Sequence, residues 1–182
     1  MTLLESLKLP MGTPIIDFSL PATNGKTYSP SDFSDKKILV IIFMCNHCPY
    51  VHAVIDRLIA IQSDYADKDI QLIAINANDS VNYPEDSFES MKDFVVERSI
   101  NFVYLHDEDQ SIAKAYKAQC TPDIYVFDST RQLVYHGRID NNWQDESSVT
   151  KQELREALDA ILEERPIAEN QQPTIGCSIK WK

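Results

Sequence analysis

Two continuous apolar runs stand out along the chain, at residues 37–44 and 70–77. Their branched side chains are typical of strands that are buried on both faces of a sheet. Between the runs, apolar residues repeat at helical spacing, which predicts a helix that ends near Tyr65. A strand, a helix and a second strand in this order indicate parallel strands joined by a crossover helix.

The same periodicities predict the remaining elements. They are a hairpin over 15–28 with its turn at Asn24–Gly25, helices at 85–98 and 110–118, strands at 101–105, 123–127 and 132–139, and a last helix from Thr150. The Thr150 hydroxyl would cap that helix, and Glu153 would complete a capping box. Alternation puts helices on both faces of the sheet, and the two late strands form an antiparallel pair at one edge. The predicted fold is a three-layer α/β sandwich with a mixed central sheet.

The length of 182 residues suits one domain with a substantial core. We assign residues 1–165 to that domain, with its N-terminal extension, and residues 166–182 to a C-terminal tail. The tail has no periodicity, yet Ile175, Ile179 and Trp181 are too apolar for a free, solvated end. We therefore expect the tail to pack on the domain as a structural element; the alternative is a tail that delivers Cys177 as an extra resolving thiol.

Charge and composition argue against some classes of function for this chain. The formal net charge is −11 and the sequence pI is about 4.7. An acidic surface repels phosphate and anionic lipid, so we expect neither nucleic-acid nor membrane partners. The N-terminus lacks the apolar run of a secretory signal, and no run approaches the ~20 apolar residues that span a bilayer. These observations predict a cytoplasmic protein.

The reactive residues are concentrated in Cys45-Asn46-His47-Cys48, where the first buried strand meets the first helix. At a helix N-terminus, unpaired backbone N–H groups and the helix dipole stabilise a thiolate. His47 would add positive charge and tune the thiol further. We expect Cys45 to be an exposed nucleophile with a lowered pKa. Cys48 would then be the thiol that resolves the mixed disulfide.

Other interpretations of the cysteines stay open. The pair could be half of a zinc site, but structural zinc takes four ligands, and the sequence has no second C-x-x-C or H-x-x-x-H pair. Two inert thiols are a further interpretation. We expect no bound cofactor and no resident metal. The alternative from another class is a metal-binding chaperone that uses Cys45, Cys48 and a histidine.

Several segments of the chain are similar to a known family. They are PIIDFSLPATNGKTYSPSDFSDKKILVIIFMCNHCPY, CTPDIYVFD, YHGRIDN and GCSIKW. With the order of elements, they resemble the thioredoxin superfamily across residues 14–162. The set is most similar to a peroxiredoxin-like subgroup of the alkyl hydroperoxide reductase and thiol-specific antioxidant (AhpC/TSA) proteins that carries a thioredoxin-type dithiol. The resemblance implies a thioredoxin-like sandwich with the N-terminal hairpin and the C-terminal tail as additions.

The resemblance also implies roles for individual residues. Cys45 would be the nucleophile and Cys48 its partner. Pro122 would be a cis-proline facing them, and the backbone of Thr121 would pair with a bound peptide. Cys120 would lie near the dithiol, as a third redox thiol, a metal ligand or a small buried residue.

One departure from the family bears on function. Peroxiredoxins place Thr or Ser three residues before the peroxidatic cysteine, whereas here Ile42 precedes Cys45 and Cys45 precedes Cys48 at that spacing. We therefore predict a thiol–disulfide oxidoreductase of redox homeostasis. Its partners would be protein or small-molecule disulfides and an upstream thiol reductant. The alternative within redox chemistry is a thiol-dependent peroxidase, a peroxiredoxin-like antioxidant that reduces peroxides.

Overall fold

The computed structural model describes residues 3–182, and the bounds below refer to that part of the chain. The strands are β1 (Leu3–Glu5), β2 (Leu20–Pro21), β3 (Thr27–Tyr28), β4 (Ile38–Phe43), β5 (Ile70–Asn76), β6 (Val103–His106), β7 (Cys120–Thr121), β8 (Asp123–Phe127), β9 (Leu133–His136) and β10 (Ile175–Ser178). The helices are α1 (Pro49–Asp64), α2 (Phe88–Arg98), α3 (Ser111–Ala115) and α4 (Glu153–Leu162).

The central sheet has five strands in the order β6-β5-β4-β8-β9. β6, β5 and β4 run parallel, and β8 and β9 are antiparallel to their neighbours. In β4, Ile41 lies opposite Ile73 of β5 and Tyr125 of β8. β4 is therefore a central strand that is paired along both edges. The mixed α/β sandwich is confirmed.

Both faces of the sheet are buried. On one face, the even-numbered side chains of β4 join a core cluster with α1, α2 and α4. On the other face, its odd-numbered side chains pack with α3 and the N-terminal segment around Phe18 and Phe33. Each fully buried branched side chain contributes about 2 kcal/mol relative to an exposed one. This packing gives the C-terminal end of β4, where the cysteines follow, a rigid base.

A second sheet, of order β1-β10-β7, was not predicted. β10 lies in the middle and pairs antiparallel with both neighbours, so that Cys177 faces Leu3 on one side and Thr121 on the other. The C-terminal segment is therefore docked by backbone pairing. The short hairpin β2–β3 forms around Asn24–Gly25, as its turn signal indicated, with Gly25 at a φ of 81°.

Two helix starts differ from the prediction. α2 begins at Phe88 instead of residue 85, because Ser87 accepts a hydrogen bond from the Ser90 backbone N–H and caps it there. α4 begins at Glu153, and the Thr150 hydroxyl accepts a hydrogen bond from Asn141, so the predicted capping box is wrong. No helix within residues 3–182 combines the length and apolarity that crossing a membrane requires.

Candidate active site

The dithiol lies between the end of β4 and the start of α1. Cys48 is the N-cap residue of α1, and Pro49 occupies the first helical position, where no backbone N–H is needed. The peptide bond before Pro122 is cis, as the resemblance implied. β7 brings Thr121, the residue before this bond, to the two cysteines.

Thr121 contacts both sulfur atoms. Its hydroxyl Oγ1 lies 3.4 Å from Cys45 Sγ, and its carbonyl oxygen lies 3.2 Å from Cys48 Sγ. The backbone that was expected to pair with a bound peptide is already paired, because Thr121 stands opposite Cys177 in the β7–β10 ladder. A peptide-binding role for Thr121 and Pro122 therefore remains a prediction.

The expected exposure of Cys45 is wrong. Cys45 is 1% exposed and Cys48 is 0% exposed. The strand β10, which the sequence pattern did not reveal, pairs with β7 beside the site and places Cys177 Sγ 3.0 Å from Cys48 Sγ. In this conformation a large disulfide cannot reach either sulfur atom.

The hydrogen bonds at the site favour the opposite order of acidity from the expected one. The pKa of Cys48 is lowered to about 5, chiefly by the hydrogen bond from the Cys45 thiol and with help from Cys177 and the Val51 backbone N–H. The pKa of Cys45 is raised well above its ordinary value by its hydrogen bond to Cys48, by burial and by the negative charge of Asp86. Cys48, as the N-cap residue of α1, is the thiol closer to the helix N-terminus, and it carries the charge.

Asp86 organises the loop between the cysteines, and the sequence analysis did not identify it. Its buried carboxylate accepts hydrogen bonds from the Asn46 backbone N–H at 2.7 Å and from Asn78 Nδ2 at 2.7 Å. It also pairs with His47 Nδ1 at 2.6 Å. Burial opposes ionisation of Asp86, but these partners hold its pKa below the ordinary value. The loop is thus fixed by a side chain that lies 40 residues away in sequence.

His47 faces Asp86 and stacks on Tyr83, with ring centroids 5.7 Å apart. The hydrogen bond to Asp86 raises the pKa of His47. When it is protonated, the imidazole offsets the Asp86 charge, which otherwise disfavours a Cys45 thiolate. Its action on the thiols runs through this ion pair, and its tuning role remains a prediction.

Two further side chains hold Asn46. The Tyr104 hydroxyl donates to Asn46 Oδ1 at 3.0 Å, and His52 Nε2 donates to the Asn46 carbonyl oxygen. Arg98 Nη2 lies 2.9 Å from His52 Nδ1, so His52 carries its proton on Nε2 in this arrangement. The loop Cys45–Cys48 is therefore held by His52 from α1, by Tyr104 from β6 and by Asp86 from the turn before α2.

One cluster within the described residues could hold a metal ion. Its ligand atoms belong to Cys45, His47 and Asp86 and lie within 4.8 Å of one another. A thiolate, an imidazole and a carboxylate suit Zn²⁺. The His47–Asp86 ion pair occupies two of these ligands, so a metal would have to displace the His47 proton.

The remaining cysteines occupy different positions. Cys120 is buried on β7, its Sγ lies 3.9 Å from the Pro122 carbonyl oxygen, and burial beside Asp123 raises its pKa. Cys177 lies directly against Cys48. The structure therefore brings three sulfur atoms together, and the third belongs to Cys177.

Comparisons with known proteins show the family and the fold. A family model described as Redoxin matches residues 10–154. An uncharacterized conserved protein from Geobacillus kaustophilus is 44% identical, with a TM-score of 0.95 over 100% of this chain and 97% of that chain. A hypothetical protein from Sinorhizobium meliloti 1021 is 38% identical, with a TM-score of 0.93 over 98% of each chain. No curated protein sequence matches the chain.

A more distant structure shares only the fold. The thioredoxin domain of a thiol-disulfide oxidoreductase from Bacteroides vulgatus is 16% identical, with a TM-score of 0.61 over 71% of this chain and 89% of that chain. The sandwich and the family match define a thioredoxin-like redox protein that uses thiol chemistry. The chain belongs to the Redoxin family.

Proposed function

We propose that the protein is a thiol–disulfide oxidoreductase whose redox centre is the Cys45–Cys48 pair. The observation that supports this most strongly is the contact of both sulfur atoms with Thr121, the residue before the cis-proline. The acidic Cys48 thiol adds a nucleophile that is ionised at neutral pH. The buried hydrogen bonds of Asn46 fix the loop and so hold the two cysteines in position to form a disulfide.

The chemistry follows from the two thiols. The Cys48 thiolate attacks a substrate disulfide, forms a mixed disulfide and releases the first substrate thiolate. Cys45 then gives up its proton and attacks Cys48 Sγ, which forms the Cys45–Cys48 disulfide and releases the second substrate thiolate. The substrate gains two electrons, which the protein loses; one of the two protons on the product thiols comes from Cys45 and the other from solvent. An upstream thiol reductant returns the protein to the dithiol form.

The closed site supports a limit on the substrate. Because both sulfur atoms are buried beneath the tail, β10 must move before a disulfide in a folded protein can reach them. Small-molecule disulfides and flexible peptide disulfides need the smallest movement. We place this activity in the cytoplasm, where thiol reductants are abundant.

The test is reduction of insulin disulfides by the full chain with a thiol reductant in excess. Wild-type protein should accelerate the reaction, and Cys48→Ser should abolish the acceleration. Cys45→Ser combined with Cys177→Ser should instead trap a mixed disulfide at Cys48, because both thiols next to Cys48 are gone. Cys120→Ser is the matched control, since it removes a buried thiol of β7 that lies outside the C-x-x-C pair. No acceleration by the wild-type protein over a bovine albumin blank would contradict the proposal.

A thiol-dependent peroxidase is the second candidate. The Thr121 hydroxyl, 3.4 Å from Cys45 Sγ, provides from another strand the kind of group that is absent three residues upstream of each cysteine. Stopped-flow oxidation by hydrogen peroxide separates the two functions. We expect the rate constant of an ordinary thiolate. A value above about 10⁵ M⁻¹s⁻¹, in the range of efficient enzymes, would favour the peroxidase.

A metal-binding chaperone is the third candidate, and the cluster of Cys45, His47 and Asp86 favours it. Metal content of the protein, purified without chelator, is the test. Under our proposal the protein holds much less than one metal ion per chain. A stoichiometric metal that His47→Gln releases would favour the chaperone instead.

A further inference from the structure

The redox centre contains a third sulfur atom. Cys177 is buried on β10, and its Sγ lies 3.0 Å from Cys48 Sγ. The antiparallel register puts Cys177 opposite Thr121, which is the residue that contacts both thiols of the C-x-x-C pair. The tail therefore presents a cysteine where a peptide paired with Thr121 would present its own.

The tail is built to approach this closely. A Cβ atom at Gly176 would lie 2.0 Å from the Thr121 carbonyl oxygen, so only glycine allows the two backbones to meet. Beyond the strand, the Lys180 backbone N–H donates to Asn78 Oδ1 at 2.9 Å, and the Lys180 carbonyl accepts from the Asp79 N–H at 2.8 Å. These bonds tie the end of the tail to the loop that also carries a partner of Asp86.

We propose that Cys177 is a third redox thiol, which exchanges with the Cys45–Cys48 disulfide to form a Cys48–Cys177 disulfide. The inference rests on the proposed function, because it needs the C-x-x-C pair to be oxidised first. The Cys177 thiolate attacks Cys48 Sγ, the S–S bond to Cys45 breaks, and Cys45 leaves as a thiolate that takes up the proton lost by Cys177. The exchange moves no net electrons and needs no further oxidant.

Electrostatics allows this exchange only after oxidation. In the reduced site, burial and the hydrogen bond to Cys48 raise the pKa of Cys177 to about 12, so it stays a thiol. Once Cys48 is in a disulfide, its negative charge is gone and one cause of that raised pKa disappears. Cys177 also stands next to a mixed disulfide at Cys48 and can displace the substrate thiolate from it.

The decisive experiment uses Cys45→Ser, which leaves Cys48 without its neighbour in the motif. Diamide, a thiol-specific oxidant, is added to the dilute full chain, which is then acid-quenched, alkylated and digested with trypsin. The three thiols fall in separate tryptic peptides, 38–57, 118–131 and 156–180. We expect a linked pair of 38–57 and 156–180, formed at least about 100-fold faster than any disulfide between chains at micromolar protein, because tethered thiols meet at millimolar or higher effective concentration.

Two double variants are matched controls. Cys45→Ser with Cys120→Ser should form the same linked pair at the same rate. Cys45→Ser with Cys177→Ser should lose it and give only disulfides between chains. If Cys45→Ser instead leaves Cys177 fully alkylated while Cys48 is oxidised, the inference is wrong.

If the variants fold poorly, disulfide mapping of the wild-type protein tests the inference. Partial oxidation should give both the internal Cys45–Cys48 disulfide and the linked peptides, and Gly176→Ala should deplete only the latter by several-fold. A map with the internal disulfide alone would overturn the inference. Insulin reduction is a separate readout: its absence, with the linked peptides present, would contradict the proposed function alone, and the reverse result would contradict this inference alone.

Discussion

Asp86→Asn tests how the loop between the cysteines is held. The substitution keeps the shape of the side chain but replaces one carboxylate oxygen with an amide nitrogen. In the wild type, Asn78 Nδ2 donates a hydrogen bond to a carboxylate oxygen at 2.7 Å. The amide nitrogen of the variant cannot accept this hydrogen bond. The substitution also removes the ion pair that Asp86 forms with His47. Losing a charged acceptor from a buried network should reduce the free energy of unfolding by about 3 kcal/mol.

The pH dependence of this loss has a definite sign. Asp86 raises the pKa of His47, so its stabilisation is complete below the unfolded value of about 6.5 and disappears as the pH rises through the folded value. The pKa of Asp86 is lowered, so its stabilisation is present above about 3.9 and disappears as the pH falls through the folded value. The ion pair therefore contributes most between about pH 4 and pH 6.5.

Urea unfolding of wild type and Asp86→Asn at pH 5.5 and pH 9 measures both quantities. Asp86→Asn should reduce the free energy of unfolding by about 1 kcal/mol more at pH 5.5 than at pH 9. The difference is modest because His47 is partly solvent-exposed. Glu85→Gln is the matched control: it removes the same charge from the neighbouring, exposed residue and should change stability by less than about 0.5 kcal/mol. An equal loss at the two pH values, or an equal loss in Glu85→Gln, would refute the reasoning.

Two further variants and one titration test the surroundings of the site. Absorbance of the thiolate near 240 nm should titrate with a pKa of about 5 and disappear in Cys48→Ser; persistence of that step would move the charge to another cysteine. Tyr104→Phe removes the donor to Asn46 and should lower the free energy of unfolding by about 1 kcal/mol in urea, whereas no change would make this bond dispensable. Arg57→Lys should cost about 3 kcal/mol in the same assay, because the buried guanidinium donates to Asp140 and to three backbone carbonyls that one ammonium cannot all reach. A cost below 1 kcal/mol would count against that network.

The central sheet could be predicted because its signals are local. The runs at 37–44 and 70–77 are long enough to show burial on both faces, and the structure places β4 and β5 within them. The C-x-x-C motif could be found for the same reason, since both cysteines and the helix that follows lie within a few residues of one another. The cis bond before Pro122 came from resemblance and is confirmed.

The partners of the motif could not be predicted, because they come from distant segments. Asp86 lies in a short turn before α2 with no periodicity of its own, and only tertiary packing brings its carboxylate to Asn46. β10 has only four residues, one of which is a glycine, so it lacks the alternation that would identify a strand. Missing β10 led to the wrong exposure for Cys45 and concealed the contact between Cys48 and Cys177.

The reduction potential of the Cys45–Cys48 couple tests the central claim most directly. Ionisation of the Cys48 thiol stabilises the reduced form of the protein. At pH 7, a pKa of about 5 shifts the equilibrium constant toward the reduced form roughly 50-fold more than the thioredoxin value of about 7 does. For a two-electron couple this raises the potential by about 50 mV, from about −270 mV to about −220 mV. Equilibration with glutathione buffers, read by mass spectrometry of peptide 38–57, should show one two-electron transition near that value. Absence of a Cys45–Cys48 disulfide at every glutathione ratio would contradict the account.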